Sequence, residues 1–265
     1  MASAAPLNPN RFWLYCVAAA VIFFLILPIA VVVPVSFSDS KYLQFPPEAY
    51  STRWYESYWN SSDWLRATRV SLTVAFCTVL LTVPLGTAAA YAMTSVSPRA
   101  ARFLQIVLLL PMIVPGMLVA IGIFYIYIRF KLVNSLIGIV VAHTVLALPF
   151  AVMTVQAALQ SFDFRQEQAA MSLGATRFGA FFRVTLPQIK AAVISSGLFV
   201  FIISLDEVVI SLFIAGGENT VLTRRMFVAL RDAVDPTVAA ISTLLIGTTL
   251  LLLVALAVTR RGQRG

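Results

Sequence analysis

The sequence predicts an all-α integral membrane protein with six spanning helices. Hydrophobic residues make up 60% of the chain and charged residues 11%, and the mean hydropathy is +0.91. A soluble domain sits near half apolar and a quarter charged, so this chain has too little polar surface to stay dissolved. Its apolar runs are on the order of 20 residues or longer, the length a helix needs to cross a bilayer. The runs are also continuous. Barrel strands alternate apolar and polar residues, and helices and closed barrels are the two structures that satisfy the backbone in lipid.

The first apolar block gives a helix over 12–36. It is too long for a signal-peptide core and no small-x-small cleavage site follows, so it is read as a retained span. Residues 38–68 are polar and aromatic, with Pro46-Pro47 and then Trp54, Tyr55, Tyr58 and Trp59. This segment is expected to be an extramembrane loop with a short interfacial helix. Its aromatics fit either a headgroup belt or part of a docking surface for an external protein. The second span covers 69–94 and ends in a tight turn, Ser97-Pro98-Arg99-Ala-Ala-Arg102. The third, 103–127, contains Pro111, Pro115 and Gly116. Such a cluster frees backbone carbonyls, which is tolerated where a helix lines a cavity or packs on neighbours. The fourth, 136–157, carries the lone histidine, His143, and Pro149; the fifth is 191–214 and the sixth 237–258. The whole chain, 1–265, is read as a single transmembrane domain.

Several function classes are excluded. The formal charge is +8, but the arginines are scattered through short loops rather than along one helix face, which argues against nucleic-acid binding. Cys16 and Cys77 fall inside apolar blocks and read as packing residues. With one histidine and no Cys-x-x-Cys, no metal site is expected. No constellation for covalent catalysis stands at workable spacing, so the chain is not read as an enzyme. The three lysines, Lys41, Lys131 and Lys190, follow Ser40, Phe130 and Ile189. There is thus no phosphate-cradling Gly-Lys loop. If ATP drives this protein, another polypeptide binds it.

Six spans put both termini on one side. With the termini inside, ten basic residues lie inside and nine outside. The Lys/Arg bias is nearly balanced, and the tail Arg260-Arg261-Gly-Gln-Arg264 tips it toward cytoplasmic termini.

Two polar features stand out. Asp206 and Glu207 lie within the fifth span, where a charge costs at least about 2.5 kcal/mol. Two readings stay open: the pair lines a water-filled pathway that favours a cationic solute, or it serves a structural pair or gate. Successive helix positions point about 100° apart, so at most one is expected to face solute. For His143, a contact between helices and a substrate or proton role are both open. The second feature is the insert from about 159 to 190, far longer than the usual helix–helix connection of about 2–8 residues. Its first part is Ala-rich and stops near Gly174. Its second carries Phe178, Phe181 and Phe182 at helical spacing. Pro187 then opens the next helix, a tolerated position. The result is a helix–Gly–helix elbow that a partner could grip.

This elbow resembles the signature loop of permease subunits of binding-protein-dependent ABC importers, which reads Glu-Ala-Ala-x-x-x-Gly, nine residues, then Ile-x-Leu-Pro. Gln168-Ala169-Ala170 and Gly174 stand at the first positions and Val184-Thr185-Leu186-Pro187 at the last. The family Glu is Gln168 here, with Glu167 just before it. Leu110-Pro111-Met-Ile-Val-Pro115-Gly116, Ala142-His143-Thr144 and Ser204-Leu-Asp-Glu207-Val-Val-Ile-Ser211 extend the likeness to the shorter of the paired polyamine-type permeases. The resemblance implies a second homologous permease, a cytoplasmic ATPase dimer holding ATP and magnesium, and an external solute-binding protein. This chain itself would hold no cofactor. The resemblance also implies that Gln168, Ala169, Ala170, Gly174, Ala175, Thr176 and Phe178 couple to the ATPase. Asp206, Glu207 and His143 are the candidate pathway residues. The alternative is an ion-coupled secondary carrier in which Asp206, Glu207 and His143 relay protons; a carrier needs no cytoplasmic grip.

Overall fold

The computed structural model describes residues 12–261, with side chains for 13–254. Arg11 and the side chains of the basic tail, Arg260 to Arg264, lie outside the described residues. The described residues divide into two compact units, one running from α1 (Phe12–Ser36) to Ser61 with 229–248, the other from Ser62 to Val228 with the chain from Thr249 on.

In the first unit, α1 (Phe12–Ser36) is apolar all round and its outer three-quarters are exposed, as expected of a helix bathed in lipid. The loop after it folds back through a bridge between Ser38 and Tyr50 into α2 (Arg53–Asn60). The expected short helix is therefore present. Two of its aromatics are used internally: Trp54 Nε1 donates to the Ser38 carbonyl at 2.8 Å, and Tyr55 shares a 2.8 Å hydrogen bond with Ser36 Oγ. Trp59 stays exposed. The first half of α12 (Thr237–Arg261) also belongs to this unit.

The second unit is built on three packed helices, α3 (Ser62–Met93), α6 (Leu136–Gln160) and α9 (Leu186–Asp206). α3 starts seven residues before the expected 69, because its polar first turns have partners. Trp64 is buried, Asp63 pairs with Arg225 at 3.1 Å, and Ser71 Oγ accepts from the Leu222 amide at 2.7 Å. Those partners sit at the start of α11 (Leu222–Asp232). Ser135 caps α6 by accepting from the Gly138 amide at 3.0 Å.

Two expected single spans are broken. The third is two helices, α4 (Pro98–Ile113) and α5 (Gly116–Phe130), bent by 98°. Pro115 brings no N–H for the Pro111 carbonyl, and its ring holds Val114 extended at φ −74°, ψ 133°. The fifth also divides, into α9 and α10 (Val209–Ile214), with Glu207 extended between them. Neither proline nor glycine causes that break. Instead the Glu207 carboxylate accepts from the Ile210 amide at 2.6 Å and starts a new helix. α10 then packs on α5 through Ile210, Ile214 and Ala120.

α3 and α6 approach closely at Gly86, where an added Cβ would lie 2.7 Å from the Ala151 Cβ. Gly86→Leu should therefore lower the thermal unfolding midpoint in detergent, by the equivalent of about 1–3 kcal/mol. Gly247→Leu, where nothing lies within 4 Å of the added atom, should not. Equal effects would show that the close crossing is not what constrains residue 86.

Candidate functional site

The elbow begins where α6 ends. The Asp163 carboxylate accepts from the Arg165 amide at 3.0 Å and opens α7 (Arg165–Ser172). α7 closes on Gly174, which adopts φ +94°. The Gly174 amide donates to the Met171 carbonyl at 3.0 Å and the Ala175 amide to the Ala170 carbonyl at 3.1 Å. This paired closure satisfies the last carbonyls of a helix and requires a residue at ease with positive φ. Thr176 then caps α8 (Arg177–Ala180) by accepting from the Gly179 amide at 3.1 Å.

Pro187 stands in the first turn of α9, as expected, although the helical path reaches it without a gap from Arg177. Residues Phe181–Thr185 form a π-helical turn in which the Leu186 amide reaches back to the Phe181 carbonyl. Pro187 has no N–H for the Arg183 carbonyl, and the wider turn absorbs that mismatch.

A buried carboxylate locks the elbow to this frame. Glu167 is 4% exposed. One of its oxygens accepts from the Tyr91 hydroxyl on α3, the other from Thr185 Oγ1 at 2.5 Å in the π turn. Around it, the Tyr91 ring packs on Phe181 at 4.7 Å. Arg177 lies over Tyr91 at 5.6 Å and donates to Ser95 Oγ. Gln188 donates to Gln166 Oε1 at 2.7 Å. Hydrogen bonds to a charged group contribute about 1.5–3 kcal/mol each.

The seven expected coupling residues gather at the tip of this elbow. Gln168, Ala169, Gly174, Thr176 and Phe178 are exposed, and Ala170 and Ala175 are half-buried. Gln168 faces outward while Glu167 faces in. The sequence marks Glu167 as the neighbour of the motif position but does not show its anchoring role, nor that of Tyr91 and Thr185. The available signals were an acid within an Ala-rich surface helix and a tyrosine at the end of an apolar span.

Asp206 and Glu207 stand at the other end of α9, about 30 Å away at 1.5 Å per residue, and His143 on α6 reaches the same end. Buried His143 bonds Ser204 Oγ through Nδ1 at 2.8 Å and Ser211 Oγ through Nε2 at 3.2 Å. One imidazole thus ties α6 to both sides of the α9–α10 break. Glu207 caps α10, and its carbonyl accepts from Thr223 Oγ1 at 2.9 Å. Asp206 is exposed. The two carboxylates differ accordingly: one is committed to the backbone and one is open.

The family described as the inner membrane component of binding-protein-dependent transport systems matches residues 82–264. The spermidine/putrescine transport system permease protein PotC of Escherichia coli K12 is 28% identical over 89% of each chain. The putrescine transport system permease protein PotI of the same organism is 30% identical over 84% of this chain and 82% of its own. A bacterial ABC transporter that imports alginate superposes with a TM-score of 0.70 at 16% identity, over 96% of both chains. The chain belongs to this family of transport-system inner membrane components, and its fold is that of the importer permeases.

Glu167→Ala should free the elbow. Amide exchange across 165–180 should speed by roughly 10- to 100-fold, the equivalent of about 1.4–2.8 kcal/mol, with α6 unchanged. Unaltered exchange would show that the carboxylate does not anchor the segment.

Proposed function

We propose that this family member is one of two permease subunits lining the pathway of an ATP-driven importer for a polyamine or related small amine. A separate ATPase dimer holds ATP and magnesium and seats the elbow tip, Gln168 to Phe178. An external binding protein delivers the solute. The elbow and both termini face the cytoplasm. The amine reading draws on the relatives named for spermidine and putrescine transport and on the open Asp206 carboxylate.

The observation that carries this reading is the anchored elbow. A grip on the surface transmits force only if the gripped element cannot yield. Glu167 joins α7 to α3 and to the root of α9, so ATPase closure displaces these helices rather than a slack loop. α9 carries the displacement to the far break, where His143 passes it to α6 and α10. Two arrangements of this frame then correspond to outward- and inward-facing pathways, a two-state element biased by a distant ligand. In this scheme Asp206 attracts the cationic solute and Glu207 holds the break open. Nothing favours a proton relay, since both His143 nitrogens already have serine partners.

Gly174→Val tests the grip. No atom lies within 4 Å of an added Cβ, so the effect comes from backbone geometry alone, about 1–2 kcal/mol of strain at positive φ. The variant should insert normally and lose ATP-driven uptake of putrescine in reconstituted vesicles; unchanged uptake would count against the elbow as the handle. Asp206→Asn should weaken putrescine uptake severalfold through a raised half-saturation concentration. If the half-saturation concentration does not move, the pathway assignment is wrong.

A further inference from the structure

α6 is 25 residues long, so its two ends lie about 37 Å apart. The elbow leaves one end. The loops 131–135 and 215–221 meet beside the other, on the opposite face of the membrane. These two loops are stitched together. The Asn134 amide donates to the Ile214 carbonyl and Asn219 Nδ2 to the Asn134 carbonyl, both at 2.7 Å. Lys131 and Asn134 hold left-handed backbone at φ 54° and 58°, and the Leu132 amide donates back to the Tyr127 carbonyl at 2.9 Å. The paired loops form a fixed seat.

One cation rests on it. Arg224, in the first turn of α11, is half-buried. At Gly216 an added Cβ would lie 2.9 Å from Arg224 Nη1 and 2.5 Å from Asn134 Oδ1, so the glycine makes room for both side chains. The neighbouring Arg225 is used internally, paired with Asp63 at 3.1 Å and stacked on Trp64 at 4.8 Å. Arg224 has no such use. No carboxylate lies within ion-pair distance of it among the described residues, Glu218 of the same loop included. Burial pushes its pKa below the ordinary value, and no acid raises it back. A cation that gives up water without gaining a counter-charge is unfavourable, so an anion from outside the chain completes the seat.

We propose that Arg224 is the docking anchor for the external binding protein and takes a carboxylate side chain of that protein. The inference rests on the proposed function, which puts that partner on this face. A guanidinium can hold a carboxylate through two parallel hydrogen bonds, and one already held in place loses little freedom in doing so. The seat lies past the far end of α10, about 9 Å beyond the break at Glu207. It is built on loops rather than on the helices that would line a pathway, which suits a docked protein better than a passing solute.

The test measures binding of the putrescine-loaded binding protein to the assembled importer in nanodiscs, together with putrescine uptake at saturating binding protein. Arg224→Gln should raise the dissociation constant roughly tenfold, and Arg224→Glu further still, because it sets like charges together. Gly216→Ala keeps the charge and displaces only flexible side-chain ends; it should raise the constant severalfold. Uptake at saturating binding protein and the unfolding midpoint should stay unchanged in all three. An unchanged constant in Arg224→Gln, or equal constants for Arg224→Gln and Arg224→Glu, would overturn the anchor and leave the proposed function standing. Lost uptake at saturating binding protein would place Arg224 in the pathway and overturn the anchor as well. A wild-type importer that binds no external protein would remove the proposed function and the anchor together.

Discussion

A single buried carboxylate fixes the surface elbow to the helices beneath it. Glu167 sits on a surface helix but points inward, where hydroxyls from Tyr91 and Thr185 hold its two oxygens. Burying a charge is unfavourable unless it is fully hydrogen-bonded. Here both oxygens are satisfied, and the two donors come from two different helical segments. Neither donor can be lost without stranding the charge, so the three segments stay together. The exposed tip, from Gln168 to Phe178, inherits its position from that lock.

The same economy operates at the far end of α9. His143 spends both nitrogens on serines that flank a helix break, and Glu207 spends its carboxylate on the backbone of the next helix. Between these polar nodes the helices pack through small residues, as at Gly86 and Ala151. Helices in lipid gain little from hydrophobic burial against one another, so close approach and interhelical hydrogen bonds set their arrangement. The result is a set of helices joined at a few polar points.

Much of this was legible from residues alone. α1 and the starts of α6 and α12 fall where the apolar runs begin, because a continuous apolar run in lipid satisfies its backbone as a helix rather than as a barrel strand. The elbow's Gly174 stop was legible too, since a glycine after an Ala-rich run has one favoured use. The breaks were harder. Pro111 and Pro115 announce a disturbance, but the 98° angle depends on what α5 packs against. The break at Glu207 has no local sign, because an acid within an apolar run reads as a pathway residue until its partner, the Ile210 amide, is seen. Glu167 was visible beside the motif, but its anchoring role was not, for the converse reason. Its neighbour Gln168 occupies the motif position, and only the fold reveals which of the two faces inward.

With Glu167 in place, the elbow, the end of α3 and the root of α9 should move as one body. Spin labels at Leu173 on the tip and Ala92 on α3, in the assembled importer, would measure this directly. On the proposed function, their separation should stay constant between nucleotide-free and ATP-bound states while labels on this chain and on the proposed second permease change theirs. A tip-to-α3 distance that shifts or broadens on ATP binding would mean that the loop yields by itself, and that Glu167 transmits nothing.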